Sequence, residues 1–198
     1  MKRIMDHVNS HYRLSFGNRS YLLPLLGTMV VLGICLSGCG SGNQTVKVDV
    51  SWAQHYTSFK DLKHNSDIAI NGDVTNIGDS VKPVDGSLVY SDVTVTVTKV
   101  LWNAHSQKTV SPTILFHENG GTYQGTTYIV NDDPLYQVGQ HVILFFTEYS
   151  PGNYRVAGGP TGRFLVTNGV VKPITSDGVQ LAPNTNEHQF AQALNAAN

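Results

Sequence analysis

The chain has 198 residues, of which 13 are Lys or Arg and 14 are Asp or Glu, so its formal net charge is −1 with histidine neutral. Residues 39–198 retain nine basic and 13 acidic side chains, which gives this part a net charge of about −4. It contains no basic cluster, and this argues against a nucleic-acid-binding surface.

The first 38 residues have the three parts of a secretory signal peptide. Lys2 and Arg3 supply the positive charge, residues 21–36 form an apolar run, and Ser37-Gly38 are small. The apolar run has the length of a signal-peptide core and is shorter than a comfortable membrane span. We therefore predict that residues 1–38 are a signal peptide.

The residues Leu36-Ser37-Gly38-Cys39 closely resemble the lipobox of bacterial lipoproteins. In that family a lipid anchor carrying fatty acids such as palmitate is joined to the Cys thiol, and the leader is cut just before it. The resemblance implies that Cys39 is the lipidated first residue of a mature protein in the cell envelope, facing the extracytoplasmic side. The alternatives are an ordinary signal peptide with a small-residue cleavage site and an uncleaved anchor helix.

The only two cysteines are Cys35 and Cys39. The first would leave with the leader and the second would carry the lipid, so no thiol would remain for a disulfide, a redox pair or a thiolate zinc site. We expect no cofactor and no metal, and a fold that is stabilised by burial and hydrogen bonding alone.

Residues 39–57 are predicted to be the lipidated cysteine and a flexible tether, because Gly40 to Val46 are mostly small and polar. Ser58 is a suitable N-cap for a short helix. From Asp67 the apolar residues recur at every second position. The clearest strand is SDVTVTVTKVLW, where valines alternate with threonines and predict one buried and one exposed face.

Further strands are predicted at residues 113–116, near 141–149 and on both sides of Asn168-Gly169, a strong hairpin signal. Residues 187–197 have the apolar spacing of a final helix. About seven strands and dense turns predict an all-β fold for residues 58–198. We expect a single domain, either a small OB-like barrel or a compact sandwich, with a short N-terminal helix and a C-terminal helix.

Four segments occur in an order typical of small exported bacterial domains without established function: SDIAINGDV, YSDVTVTVTKVLWN, YQVGQHVILFF and YRVAGGPTGRFLV. The same order is similar to the netrin-like module of tissue inhibitors of metalloproteinases, over about residues 66–170. That resemblance implies a five-stranded OB-type barrel. The inhibitors chelate the zinc of their target with an amino-terminal Cys, whereas Cys39 would be lipidated here. The resemblance therefore predicts the barrel and not zinc-chelating inhibition.

Catalytic signatures are missing from the sequence: no G-x-S-x-G, H-E-x-x-H or S-x-x-K motif occurs. The six histidines after residue 38 lack the local spacing of metal pairs. Asp132 and Asp133, next to Asn131, are more typical of a turn than of a calcium site. If the protein is a hydrolase, its best candidate residues are His117, Glu118, Asp132 and Asp133.

Four residues are candidates for ligand binding. Gly159 and Arg163 belong to GGPTGRF, a segment whose amides and guanidinium could meet an anionic ligand. The alternative is a tight turn in which Arg163 pairs with a nearby Asp or Glu. Tyr123 and Tyr128 lie in an irregular stretch where exposed rings could contact a glycan, although such rings often cap a core.

These features predict a lipid-anchored extracytoplasmic binding or interaction module without catalytic activity. Its partners would be the membrane, reached through the lipid, and an envelope protein or a cell-wall glycan. The alternatives are an envelope protease inhibitor, which the netrin-like resemblance suggests, and a glycan-processing hydrolase.

Overall fold

A computed structural model describes residues 44–197, with ten strands, two helices and one 3-10 turn. The strands are β1 (Gln44–Val48), β2 (Ile68–Ile77), β3 (Tyr90–Asn103), β4 (Thr113–Asn119), β5 (Gly121–Tyr123), β6 (Thr126–Val130), β7 (His141–Ser150), β8 (Asn153–Val156), β9 (Arg163–Thr167) and β10 (Val170–Pro173). The helices are α1 (Phe59–His64) and α2 (Glu187–Ala196), and the 3-10 turn is Gly159–Gly162. Within these residues, neither helix has the length and apolar character needed to cross a membrane.

Five of the strands close into a barrel. Strand β2 pairs antiparallel with β3 and β7, and β3 pairs antiparallel with β4. Strand β4 runs parallel to β8, which pairs back with β7 and closes the ring. The prediction of a small all-β barrel with a short N-terminal and a C-terminal helix is therefore confirmed, and the chain forms the barrel rather than the sandwich.

The alternating pattern of β3 produces the two faces that the sequence predicts. Val93 and Val95 are buried inside the barrel, whereas Thr94 and Thr96 lie on its outer side. Gly72 on the neighbouring β2 lies at a register shift. A Cβ there would come within 2.6 Å of the Val95 side chain and of the Thr96 carbonyl, so only glycine allows this close approach.

Strand β7 is buried on both faces because a separate core lies on each side of it. Val142, Leu144 and Phe146 point into the barrel. Ile143 and Phe145 point the other way, into a second core under the two helices. This double burial explains why the sequence of β7 is apolar at five consecutive positions.

The second core joins the helices to the outside of the sheet. Phe190 of α2 lies edge-on to Phe59 of α1 and to Phe164 of β9, with 4.9 Å between ring centres in each pair. Helix α2 begins with a capping box, in which Asn186 and Gln189 exchange side-chain and backbone hydrogen bonds. The two helices thus cover a sheet face that would otherwise be exposed.

The segment predicted as a tether folds onto the domain from Gln44 onward. Strand β1 runs parallel to β6, which also pairs with β5, and these three strands form a second sheet. Further along, Tyr56 is buried in the core of the helices. Residues 44–57 therefore belong to the domain, because their alternating and aromatic side chains find packing partners that a Gly/Ser-rich tether lacks.

Candidate functional site

The residues predicted to bind a ligand lie in separate places. Tyr123 and Tyr128 occupy the two strands of the β5–β6 hairpin and are partly exposed. Gly159 opens the 3-10 turn, and Arg163 begins β9. The two cavities described below contain only one of these four residues, Gly159. The predicted lipidation site, Cys39, lies outside the described residues.

Arg163 lies in the interior, with only 2% of its surface exposed. Its Nη1 donates to Asp133 Oδ1 at 2.9 Å and to the carbonyl of Pro134 at 2.6 Å. The guanidinium carbon lies 3.4 Å from the ring centre of Tyr136, a cation–π arrangement. The structure agrees with the second sequence interpretation, in which Arg163 pairs with a nearby Asp or Glu. Arg163 is too deeply buried to contact a ligand directly.

A second carboxyl group joins this ion pair. Glu118 is buried, and its carboxyl lies close enough to that of Asp133 for each to influence the pKa of the other. Burial raises the pKa of Glu118 well above its ordinary value, and the Asp133 carboxyl raises it further, while Arg163 opposes the shift. Burial also raises the pKa of Asp133, against the influence of Arg163. Because adjacent carboxyls resist double ionisation, we assign a shared proton to Glu118.

Tyr136 completes this buried cluster. Its ring packs on Arg163, and its hydroxyl makes no hydrogen bond to any residue from 44 to 197. Burial raises the pKa of the Tyr136 phenol well above its ordinary value, so the hydroxyl stays protonated at neutral pH. A buried hydroxyl without a partner costs about 1–3 kcal/mol, so the Tyr136 hydroxyl, like the buried Nε of Arg163 in the same cluster, is a candidate for an external partner.

Glu118 and Tyr136 both line one cavity of about 300 Å³, which we call the Glu118 cavity. Its apolar walls are Ile77, Val93 and Leu135. Its polar rim includes two serine hydroxyls, from Ser80 and Ser91, which lie 2.9 Å apart. The cavity therefore combines apolar surface with neutral groups that both donate and accept hydrogen bonds.

The four residues predicted as hydrolase candidates divide into two pairs. Glu118 and Asp133 meet in the buried cluster, although 15 positions separate them in the sequence. His117 lies on the outer face of β4, where its Nδ1 is 2.5 Å from Asp92 Oδ1, and Asp132 is exposed. Residues 44–197 contain no group of three or more His, Cys, Asp and Glu side chains suited to hold a metal ion.

One sequence signal for this cluster was available. Glu118 continues the inward series of Ile114 and Phe116 on β4, so an acidic side chain stands where the period of two predicts an apolar one. Tyr136 carries no comparable local signal.

Comparison of the chain with protein-family models, with curated proteins and with solved structures gives no match.

Proposed function

We propose that this protein is a lipid-anchored binding module of the bacterial cell envelope, and that its ligand occupies the Glu118 cavity. One observation carries the proposal. Tyr136, whose buried hydroxyl lacks a partner in the described part of the chain, lines the same cavity as Glu118. A bound ligand that offers a hydroxyl or carbonyl group would satisfy both side chains.

The chemistry of the walls favours an uncharged, hydroxyl-rich ligand. Burial opposes the ionisation of Glu118 and raises its pKa, the Asp133–Arg163 pair cancels its own charge, and Asp79 places a carboxylate at the rim, which disfavours anions. Ile77, Val93 and Leu135 supply apolar surface for the C–H faces of a sugar ring. A neutral glycan of the cell wall is therefore the ligand class that we propose.

Calorimetric titration of the full-length protein in detergent micelles tests this proposal, with cellotetraose, maltotetraose and chitotetraose as probes. We expect one of the three to bind at a single site. Tyr136→Phe removes only the unpartnered hydroxyl and should weaken that binding about tenfold. The matched control is Tyr149→Phe, which removes an exposed hydroxyl on β7. Absence of binding by all three sugars, or equal effects of the two variants, would contradict the proposal.

The lipid anchor is tested separately. Two acyl chains on Cys39 exceed what a single chain provides, because one myristoyl-sized chain binds a membrane only marginally. Phase partition of the full-length protein in detergent should place the native chain in the detergent phase and Cys39→Ser in the aqueous phase. Cys35→Ser, the control within the predicted leader, should behave like the native chain. A Cys39→Ser protein that stays in the detergent phase would refute lipidation.

Glycan hydrolysis is the second candidate, because a raised pKa is what a general acid requires and that of Glu118 is raised. The position of Asp133 argues against glycan hydrolysis. Glycosidases hold their two carboxyls at least about 5 Å apart to leave room for the sugar, whereas those of Glu118 and Asp133 are neighbours in one buried cluster with Arg163. Incubation with the same three tetrasaccharides, followed by chromatography, distinguishes the candidates: a binding module leaves each sugar intact.

A further inference from the structure

A second cavity, of about 330 Å³, lies on another part of the domain, and we call it the Arg155 cavity. The segment Trp52–Gln54 forms one wall, and the end of β8 with Gly158 and Gly159 forms another. Thr147 on β7, which is the cross-strand partner of Arg155, also lines it. No residue of the Glu118 cavity takes part.

The charge of this cavity is positive. Arg155 is exposed and forms no ion pair with any residue from 44 to 197. No Asp or Glu side chain is among the lining residues of the cavity. An unpaired guanidinium without a competing carboxylate attracts phosphate and carboxylate groups, with which it forms charge-assisted, bidentate hydrogen bonds.

The neutral groups of the cavity add hydrogen-bond donors. The indole Nε1–H of Trp52 is buried and has no acceptor among the described residues. The carbonyl oxygen of the Gln54 side chain accepts from the Tyr56 hydroxyl, which leaves the amide N–H groups of Gln54 as donors. An acceptor-rich ligand fits this set, whereas a cation would find little to bind.

Glycines hold this arrangement in place. Gly158 and Gly159 have φ angles of 65° and 54°, in the left-handed region. A Cβ on Gly159 would overlap the indole ring of Trp52, and one on Gly158 would lie 2.6 Å from the ring of Tyr56. The two aromatic side chains therefore pack directly on the turn, and the cavity is formed before any ligand arrives.

We propose that the Arg155 cavity binds an oxyanion, the phosphate or carboxylate group of a small ligand. Arg155 would bind the anionic oxygens, with Trp52 Nε1–H and the Gln54 amide as further donors. One of the two sequence interpretations of GGPTGRF was an anion-binding loop with Arg163 as its cation, and the other was a tight turn in which Arg163 is paired. The structure instead places Arg155, eight positions earlier, on the cavity at this turn.

The test is a nuclear magnetic resonance titration of the ¹⁵N-labelled full-length protein in micelles. Inorganic phosphate and acetate are the probes, and sodium chloride at equal ionic strength is the reference. We expect saturable shifts of the Trp52 indole and of the Gly158 and Gly159 amides with at least one probe. The stronger probe identifies the ligand group as phosphate or carboxylate.

Two variants make the result specific. Arg155→Gln should weaken the binding of the stronger probe about tenfold or more, since it removes a charge-assisted contact. Lys99→Gln, which removes an exposed cation from β3, should leave that binding unchanged. Shifts that never saturate, or that persist unchanged in Arg155→Gln, would overturn the proposal. Binding of the neutral tetrasaccharides does not involve Arg155, so the two proposals fail independently.

Discussion

The two arginines of the described domain lie eight positions apart and have opposite surroundings. Arg163 is 2% exposed, forms an ion pair with Asp133 and stacks on Tyr136. Arg155 is exposed, lines a cavity and forms no ion pair within residues 44–197. The fold therefore uses one guanidinium to hold its interior together and leaves the other available to a ligand.

This difference arises from the position of each side chain relative to the barrel. Arg163 opens β9, where the chain from Asp133 to Tyr136 covers it and supplies both a carboxylate and a carbonyl. Arg155 lies on β8 opposite Thr147, which brings no charge to it. Residue type alone therefore does not distinguish a structural arginine from a binding one. The distinction depends on whether another segment of the chain covers the side chain, as it does for Arg163 and not for Arg155.

The largest effect should come from breaking the buried pair. Arg163→Met leaves the Asp133 carboxylate buried without its cation, and we expect a loss of about 3–5 kcal/mol in the free energy of unfolding. Chemical denaturation of the full-length protein measures it. Arg163→Met combined with Asp133→Asn removes both charges and should recover at least half of the loss. A loss below about 1 kcal/mol in the single variant would mean that Arg163 is not structural.

The turn between the two arginines gives the next largest effect. Gly159→Ala combines a left-handed backbone with overlap between the new Cβ and Trp52, so we expect a loss of about 2–4 kcal/mol. Gly152→Ala is the matched control, because φ is 78° there and no atom lies near the new Cβ. It should cost only about 1–2 kcal/mol. Equal losses would show that Trp52 does not pack on Gly159.

An effect that is smaller per pH unit should appear as a pH dependence of stability. The pKa of Glu118 is raised in the folded state, so above about pH 4.5 the unfolded chain releases a proton that the folded chain keeps. The contribution of Glu118 is therefore complete below pH 4.5 and is lost as the pH rises towards the folded pKa, by up to about 1.4 kcal/mol per pH unit. Asp133, whose pKa is also raised, acts in the same direction.

Glu118→Gln isolates this effect, because the amide stays neutral and can still donate to Asp133. Between pH 5 and pH 8 the free energy of unfolding should fall less steeply in Glu118→Gln than in the native protein. Urea denaturation at several pH values measures both slopes. If the slopes agree, Glu118 is ionised in the folded protein and does not hold the shared proton.

The features that the sequence predicted well depend on neighbouring residues. The valine–threonine alternation of β3, the Asn168-Gly169 turn between β9 and β10 and the Ser58 cap of α1 are each encoded within a few positions. Local chemistry determines these elements, because backbone angles and side-chain direction repeat with the period of the strand or helix. The strand pattern left a barrel and a sandwich open, and the resemblance to the netrin-like module was what implied the barrel.

The binding cavities depend on contacts between distant residues, which no local pattern encodes. The Glu118–Asp133 pair requires the chain to leave β4, form the β5–β6 hairpin and return. Trp52 meets Gly159 across more than 100 positions, although its segment was predicted to be a tether. The inward position of Glu118 was a usable signal, whereas nothing local separated Arg155 from Arg163.

The smallest expected effect completes the comparison of the two arginines. Arg155→Gln should change the free energy of unfolding by no more than about 0.5 kcal/mol, because the side chain is exposed and forms no ion pair within residues 44–197. The same denaturation series that measures Arg163→Met provides the value. A loss above about 1 kcal/mol would assign Arg155 to the fold as well, and the cavity would then have no cation to spare for a ligand. A neutral result, together with the loss in Arg163→Met, would leave the structural role to Arg163 alone.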